Sequence, residues 1–124
     1  MKGRKLEIKP GLQRQARAFV LQAILLLLDK HPKRPALIRA GKQRDDLLRA
    51  LVPLYILKGT KEPHALVSSG TVSKFWKLHG VKIQGPRVAR AWRERIGYSR
   101  VTRHGRVLTP NGVQYVQHAL EVRR

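Results

Sequence analysis

Apolar positions along this 124-residue chain recur mostly at helical spacing, with one interval of strand-like alternation near the C-terminal end. Leu12 to Lys30 contains no helix breaker and halts before Pro32, so the pattern predicts a helix. Its first half is amphipathic, with Leu12, Ala16 and Phe19 on one side and Arg14 and Arg17 elsewhere. From Val20 to Leu28 it is apolar almost all round, and such a helix has to be covered on more than one face. It is either the central helix of a core or a helix packed against a second copy of the chain.

His31 to Gly41, with Pro32 and Pro35, reads as a linker. A second helix is expected from about Gln43, with Asp45 and Asp46 where carboxylates suit the helix dipole. Leu47, Leu48, Leu51, Leu54 and Leu57 keep helical spacing, Pro53 predicts a kink or break, and Gly59 a stop. Lys61 to His64 is expected as a loop and Ala65 to Ser68 as a short strand. A third helix, Val72 to His79, has Ser69 or Thr71 as its cap and Gly80 as its end; Val72, Phe75, Trp76 and Leu78 are expected on its inward side. After a connector, Gly85-Pro86 opens a fourth helix to Arg95, with Val88, Ala91, Trp92 and Ile96 inward. Tyr98–Arg103 and Arg106–Leu108 read as strands joined at His104-Gly105. Thr109-Pro110 caps a last helix along Val113, Val116 and Leu120.

Charge changes the picture most. The chain holds 27 Lys and Arg against 7 Asp and Glu, a formal net charge of +20. Such a chain repels itself, and neutralising phosphates turns the same charge into affinity, so the expected partner is a nucleic acid. With 42% hydrophobic residues it is not a disordered basic tail. The absence of cysteine excludes disulfide scaffolds, thiolate zinc sites and thiol nucleophiles, and fits a reducing compartment. Met1 to Lys9 lacks an apolar run, so no secretory signal is expected there. Ala18 to Leu28 is too short to span a bilayer. A cytoplasmic location, nucleoid-associated in a prokaryote, follows as the expectation.

Read from Gln43, the order is helix, short strand, helix, helix, strand, tight turn, strand, helix. This order resembles the winged helix-turn-helix superfamily. Val72–His79 falls at its positioning helix, Pro86–Arg95 at its recognition helix and Tyr98–Leu108 at its wing. The stretch Gly105-Arg106-Val107-Leu108-Thr109-Pro110-Asn111-Gly112 is similar to the "Leu-Thr-x-x-Gly" junction that leads into the last helix of winged-helix regulators. The resemblance covers residues 43–122. It implies a mainly α fold with a small β-hairpin wing, with a winged-helix core at 43–109. A long N-terminal helix (12–30) and a C-terminal helix (110–122) complete a single domain, 12–124, behind a basic flexible arm, 1–11.

The chemistry of the residues points the same way. A helix fits the major groove with its N-terminal residues nearest the base edges. Here those are Gln84, Arg87 and Arg90, with Arg93 and Arg95 further along and suited to phosphates. The wing offers Arg100, Arg103, His104 and Arg106 to the backbone or a narrow minor groove. Lys74 and Lys77, with Thr71 and Ser73 at a helix N-terminus, are candidate phosphate contacts. Trp76 and Trp92 lie on inward sides and read as core rather than as stacking platforms.

The five histidines form no His-Glu-x-x-His pattern, and Asp45-Asp46 is the only acidic pair, so neither metal nor cofactor is expected. The expected function is a non-enzymatic, duplex-DNA-binding homodimer, with the 12–30 and 110–122 helices as dimer elements. It would be a transcriptional regulator or a DNA-organising or replication-partition factor. Basic residues also lie at Lys33, Arg34, Arg39, Lys42, Arg44, Arg123 and Arg124, which keeps a structural, ribosomal-type RNA-binding protein as the alternative. A metal-independent ribonuclease using His79 or His104 is the remote one.

Overall fold

The computed structural model describes residues 10–58, 67–102 and 105–122. They form α1 (Pro10–Asp29), α2 (Arg34–Gly41), α3 (Asp46–Leu57), α4 (Ser69–Lys77), α5 (Gly85–Glu94), strands β1 (Ser99–Thr102) and β2 (Gly105–Leu108), and α6 (Pro110–Val122). The fold is thus mainly helical with one small antiparallel hairpin. Pro10 and Gly11 belong to α1 rather than to an arm; Met1–Lys9 lie outside the described residues, as does Gly59.

The centre is α3, not α1. Leu47, Leu48, Ala50, Leu51, Val52, Leu54, Ile56 and Leu57 are all buried, along with Pro53, and every other helix packs against α3. Asp45 starts the helix by accepting the Leu48 N–H at 3.1 Å. Pro53 does not break it, and the reason lies in its neighbours. A proline leaves the carbonyl four residues earlier without its donor, here that of Arg49. That carbonyl accepts the Trp76 indole N–H at 2.7 Å, and the next one, of Ala50, accepts the Trp92 indole N–H at 3.0 Å. Both tryptophans are core residues, and together they tie α4 and α5 to successive carbonyls of α3.

α1 packs one stripe, Val20, Ile24 and Leu28, onto α3 and α4. Its apolar circumference is only partly covered: Phe19 and Leu26 stay 63% and 62% exposed.

The expected linker at His31–Gly41 contains α2. Pro35 sits in its first turn, where a missing N–H costs nothing, and Leu37, Ala40 and Gly41 are its buried side. Gly41 lies so close to the Trp76 ring that no Cβ would fit, and its carbonyl accepts the Arg49 Nε–H at 2.7 Å.

Ser68, rather than Ser69 or Thr71, caps α4 by accepting the Thr71 N–H at 3.2 Å. Of the expected strand at Ala65–Ser68, Val67 and Ser68 are not in a strand and the other two residues lie outside the described ones. The connector beyond α4 turns at Gly80 (φ 78°) and buries Val81 and Ile83.

In the hairpin Ser99 faces Leu108 and Thr102 faces Gly105. Gly105 (φ 112°) is therefore a strand residue and not the second loop position. Ile96, just beyond α5, and Leu78, just beyond α4, both expected inward, are 78% and 62% exposed. The junction into α6 has a clear physical basis. Thr109 donates its N–H to the Tyr98 carbonyl at 3.3 Å and its hydroxyl to that of Gly97, while its Oγ accepts the Gly112 N–H at 3.2 Å. Gly112 lies against the Tyr98 carbonyl with no room for a side chain. Inward from there, α6 buries Val116, Ala119 and Leu120; its outward residues Gln114, Gln117, His118 and Glu121 are polar.

Among the described residues, no helix is long and apolar enough to cross a membrane.

Candidate nucleic-acid interface

α5 is amphipathic in a simple way. Val88, Ala91 and Trp92 are buried against α3 and α4. Pro86, Ala89, Arg90 and Arg93 follow the i, i+3, i+4, i+7 spacing of a single face and stand outward, Ala89 half-buried and the other three exposed. Gln84 occupies the N-cap position without using its side chain as a cap, and is exposed. The central pair of outward cations is thus Arg90 and Arg93. Arg87 is displaced to the flank facing α3, where its Nε and Nη2 both donate to Asp46 Oδ2, at 3.2 and 2.8 Å. Arg87, expected beside Arg90 as a base reader, thus has an acidic partner.

Each of the first two arginines of α5 has an acidic companion. Arg90 donates to Glu94 Oε2 at 3.0 Å one helical turn on, and Arg87 is held by Asp46. These pairs are largely exposed, so each is weak, and a phosphate can compete for the guanidinium. Between the start of α3 and α5 lies an open groove whose cationic rim is Arg44, Arg87, Arg90 and Arg95, with Asp45, Asp46 and Glu94 among its walls.

Arg95 lies across two aromatic rings, 5.4 Å from the centre of Tyr98 and 6.0 Å from that of Tyr115. Its pKa is raised, with Tyr98 as the main group favouring the charged form. Among the wing residues Arg106 makes the most contacts within the fold. Its guanidinium stacks on Trp92 at 4.7 Å and donates to the Ser99 hydroxyl at 2.9 Å. Burial pushes its pKa down. It joins the wing to α5 and is not a free tip residue. Arg100 is exposed on β1; Arg103 and His104 lie outside the described residues.

The hydroxyls expected to hold phosphates face inward. Thr71 is buried with its Oγ1 3.2 Å from Ser68 Oγ, and Ser73 donates to the Ile83 carbonyl at 2.7 Å, tying the connector to α4. Lys74 and Lys77 are exposed on α4 as expected.

Three features were not singled out from the sequence. Lys82 is exposed in the connector. Arg44 reaches the α5 groove although it precedes α3. The start of α4 lies beside the start of α5, with Gly85 next to Ser69 and Gly70. None of the three is marked by a motif in the sequence. Among the described residues no three His, Asp or Glu side chains are grouped to hold a metal. No protein-family model, curated protein or solved structure matches the chain.

Proposed function

We propose that the protein binds duplex DNA as a winged helix-turn-helix module, with α4 as positioning helix, α5 as recognition helix and β1–β2 as the wing. The observation that carries this reading is the outward face of α5: Arg90 and Arg93, flanked by Pro86 and Ala89, stand on a helix whose other side is anchored in the core. A single helix with small residues between its cations can enter the major groove, where arginine pairs with O6 and N7 of guanine. Gln84 lies at its leading end. Lys74, Lys77 and Lys82 flank it as phosphate contacts, and Arg100 serves the same role from the wing. The net charge of +20 supplies the sequence-independent part of the affinity. The role is that of a transcriptional regulator, or of a DNA-organising or replication-partition factor, without catalysis, in the cytoplasm or nucleoid.

A structural RNA-binding role is the second reading, favoured by exposed Lys33, Arg34, Arg39 and Lys42, which lie outside α4, α5 and the wing. Binding to duplex DNA, single-stranded DNA and structured RNA at matched salt separates the two. Duplex preference that weakens on changing Arg90 and Arg93 to Ala, with altered base preference, supports the first. Preference for RNA overturns it, and a change in salt slope alone reassigns both arginines to phosphates.

A further inference from the structure

Acidic side chains are scarce in this chain, 7 against 27 Lys and Arg, yet Asp45, Asp46 and Glu94 all line the groove beside α5. Two of them serve the fold. Asp45 caps α3 and accepts the Tyr115 hydroxyl, and Asp46 joins α3 to Arg87 of α5. Glu94 does neither: it is exposed, and its polar contact among the described residues is the Arg90 Nε–H at 3.0 Å. It is also badly placed for helix stability. As the last residue of α5 it sets a negative charge against the helix dipole, and it follows its arginine at i+4, the weaker order for such a pair.

We infer that Glu94 is a positioning residue for base recognition. It holds Arg90 by Nε so that the end of the guanidinium meets a guanine, and this makes duplex binding sequence-specific. The inference rests on the duplex-DNA reading of α5. Two features of the pair favour a base over a phosphate. A guanidinium that grips a phosphate side-on uses Nε, which Glu94 occupies, whereas guanine O6 and N7 are matched by the two Nη groups, which stay open. A carboxylate beside the guanidinium also repels a phosphate, while the guanine edge presents acceptors without net charge.

The exposed pair is weak in water, but entry of α5 into a groove removes water from it and strengthens the attraction. The neighbouring arginines differ. Asp46 draws Arg87 towards α3, and Arg93 has no acidic partner among the described residues, which leaves all its donors for phosphates.

Selection of sites from a random duplex library is expected to enrich a guanine at one position, preferred roughly tenfold or more over other bases. Replacing that guanine with 7-deazaguanine, which lacks the N7 acceptor, should weaken binding of the parent and not of Arg90→Ala. Glu94→Ala should lose most of the guanine preference yet bind random duplex more tightly than the parent, because an acid beside the phosphates is gone. Glu94→Gln keeps an oxygen for Nε and should retain more of the preference than Glu94→Ala, with the same gain on random duplex. A helix weakened at its end would instead lose both kinds of binding together.

Unchanged guanine preference in Glu94→Ala, equal losses in the Ala and Gln variants, or a preference that survives Arg90→Ala overturns the inference. A parent that binds duplex without enriching a guanine also overturns it and leaves duplex binding standing. Preference for RNA overturns the duplex reading itself, and this inference with it.

Discussion

Tyr115 on α6 donates its hydroxyl to Asp45 at 2.6 Å, across 70 residues of sequence. The other oxygen of the same carboxylate caps α3 through Leu48. One side chain therefore both begins the central helix and anchors the last one. Tyr115→Phe should lower the unfolding free energy by about 1.5 kcal/mol, as expected for a hydrogen bond to a charged group. Asp45→Ala should cost about 1 kcal/mol more, because the cap goes too. Urea denaturation of both variants measures the difference; equal losses would mean that the cap contributes nothing.

Gly41→Ala and Gly112→Ala should each destabilise, by about 2 kcal/mol, although alanine is the better helix former. The new methyl at position 41 meets the Trp76 indole, and at 112 the Tyr98 carbonyl. Gly70→Ala is the control, with only Ser68 Oγ within 4 Å, at 3.7 Å. Its denaturation midpoint should stay within error of the parent or rise.

Asp46 neutralises Arg87 and also lies 3.6 Å from Arg49. Asp46→Asn should therefore tighten binding to duplex DNA at low salt and steepen the salt dependence by up to about one unit of slope. Arg90→Ala should do the reverse. Fluorescence anisotropy at several salt concentrations measures both, and unchanged slopes in the two variants would place the phosphates elsewhere.

His31 joins α1 to α2. Its Nδ1 accepts the Lys33 N–H at 3.0 Å and its ring lies 6.2 Å from that of Tyr55. Burial, and then Lys33, lower its pKa from the usual 6.5. Protonation is thus easier in the unfolded chain, so its contribution to stability is complete above about pH 6.5 and declines as the pH falls below that. Thermal midpoints between pH 7.5 and 5 should fall less steeply in His31→Gln than in the parent.

The sequence was most readable where a few adjacent residues decide the outcome. Pro86 in a first turn and Thr109-Pro110 as cap and first residue place the starts of α5 and α6 closely, because caps are local. α2 has little signature in the sequence because eight residues with a proline in the first turn carry too short a stripe, and so short a helix depends on tertiary packing. The contacts of Arg87 and Arg106 are hidden in the sequence for a different reason. Both are arginines on basic stretches, and what diverts them is an aspartate 41 positions earlier in one case and an indole from another element in the other. The centre of the core is not decided by apolar content alone. The leucine run of α1 is the greasiest in the chain, yet it leaves Phe19 and Leu26 outside, while α3 is buried despite its proline.

That proline cannot be repaired alone. In an isolated helix, replacing an interior proline with alanine is worth about 3 kcal/mol. Here Pro53→Ala would bring back an amide that competes with the Trp76 indole for the Arg49 carbonyl. The helix would become more regular while the indole N–H, inside a fully buried side chain, lost its exclusive acceptor. Positions 53 and 76 are therefore energetically non-additive: changing both should differ from the sum of the separate changes, and the sign of that difference reports how tightly α4 is registered on α3.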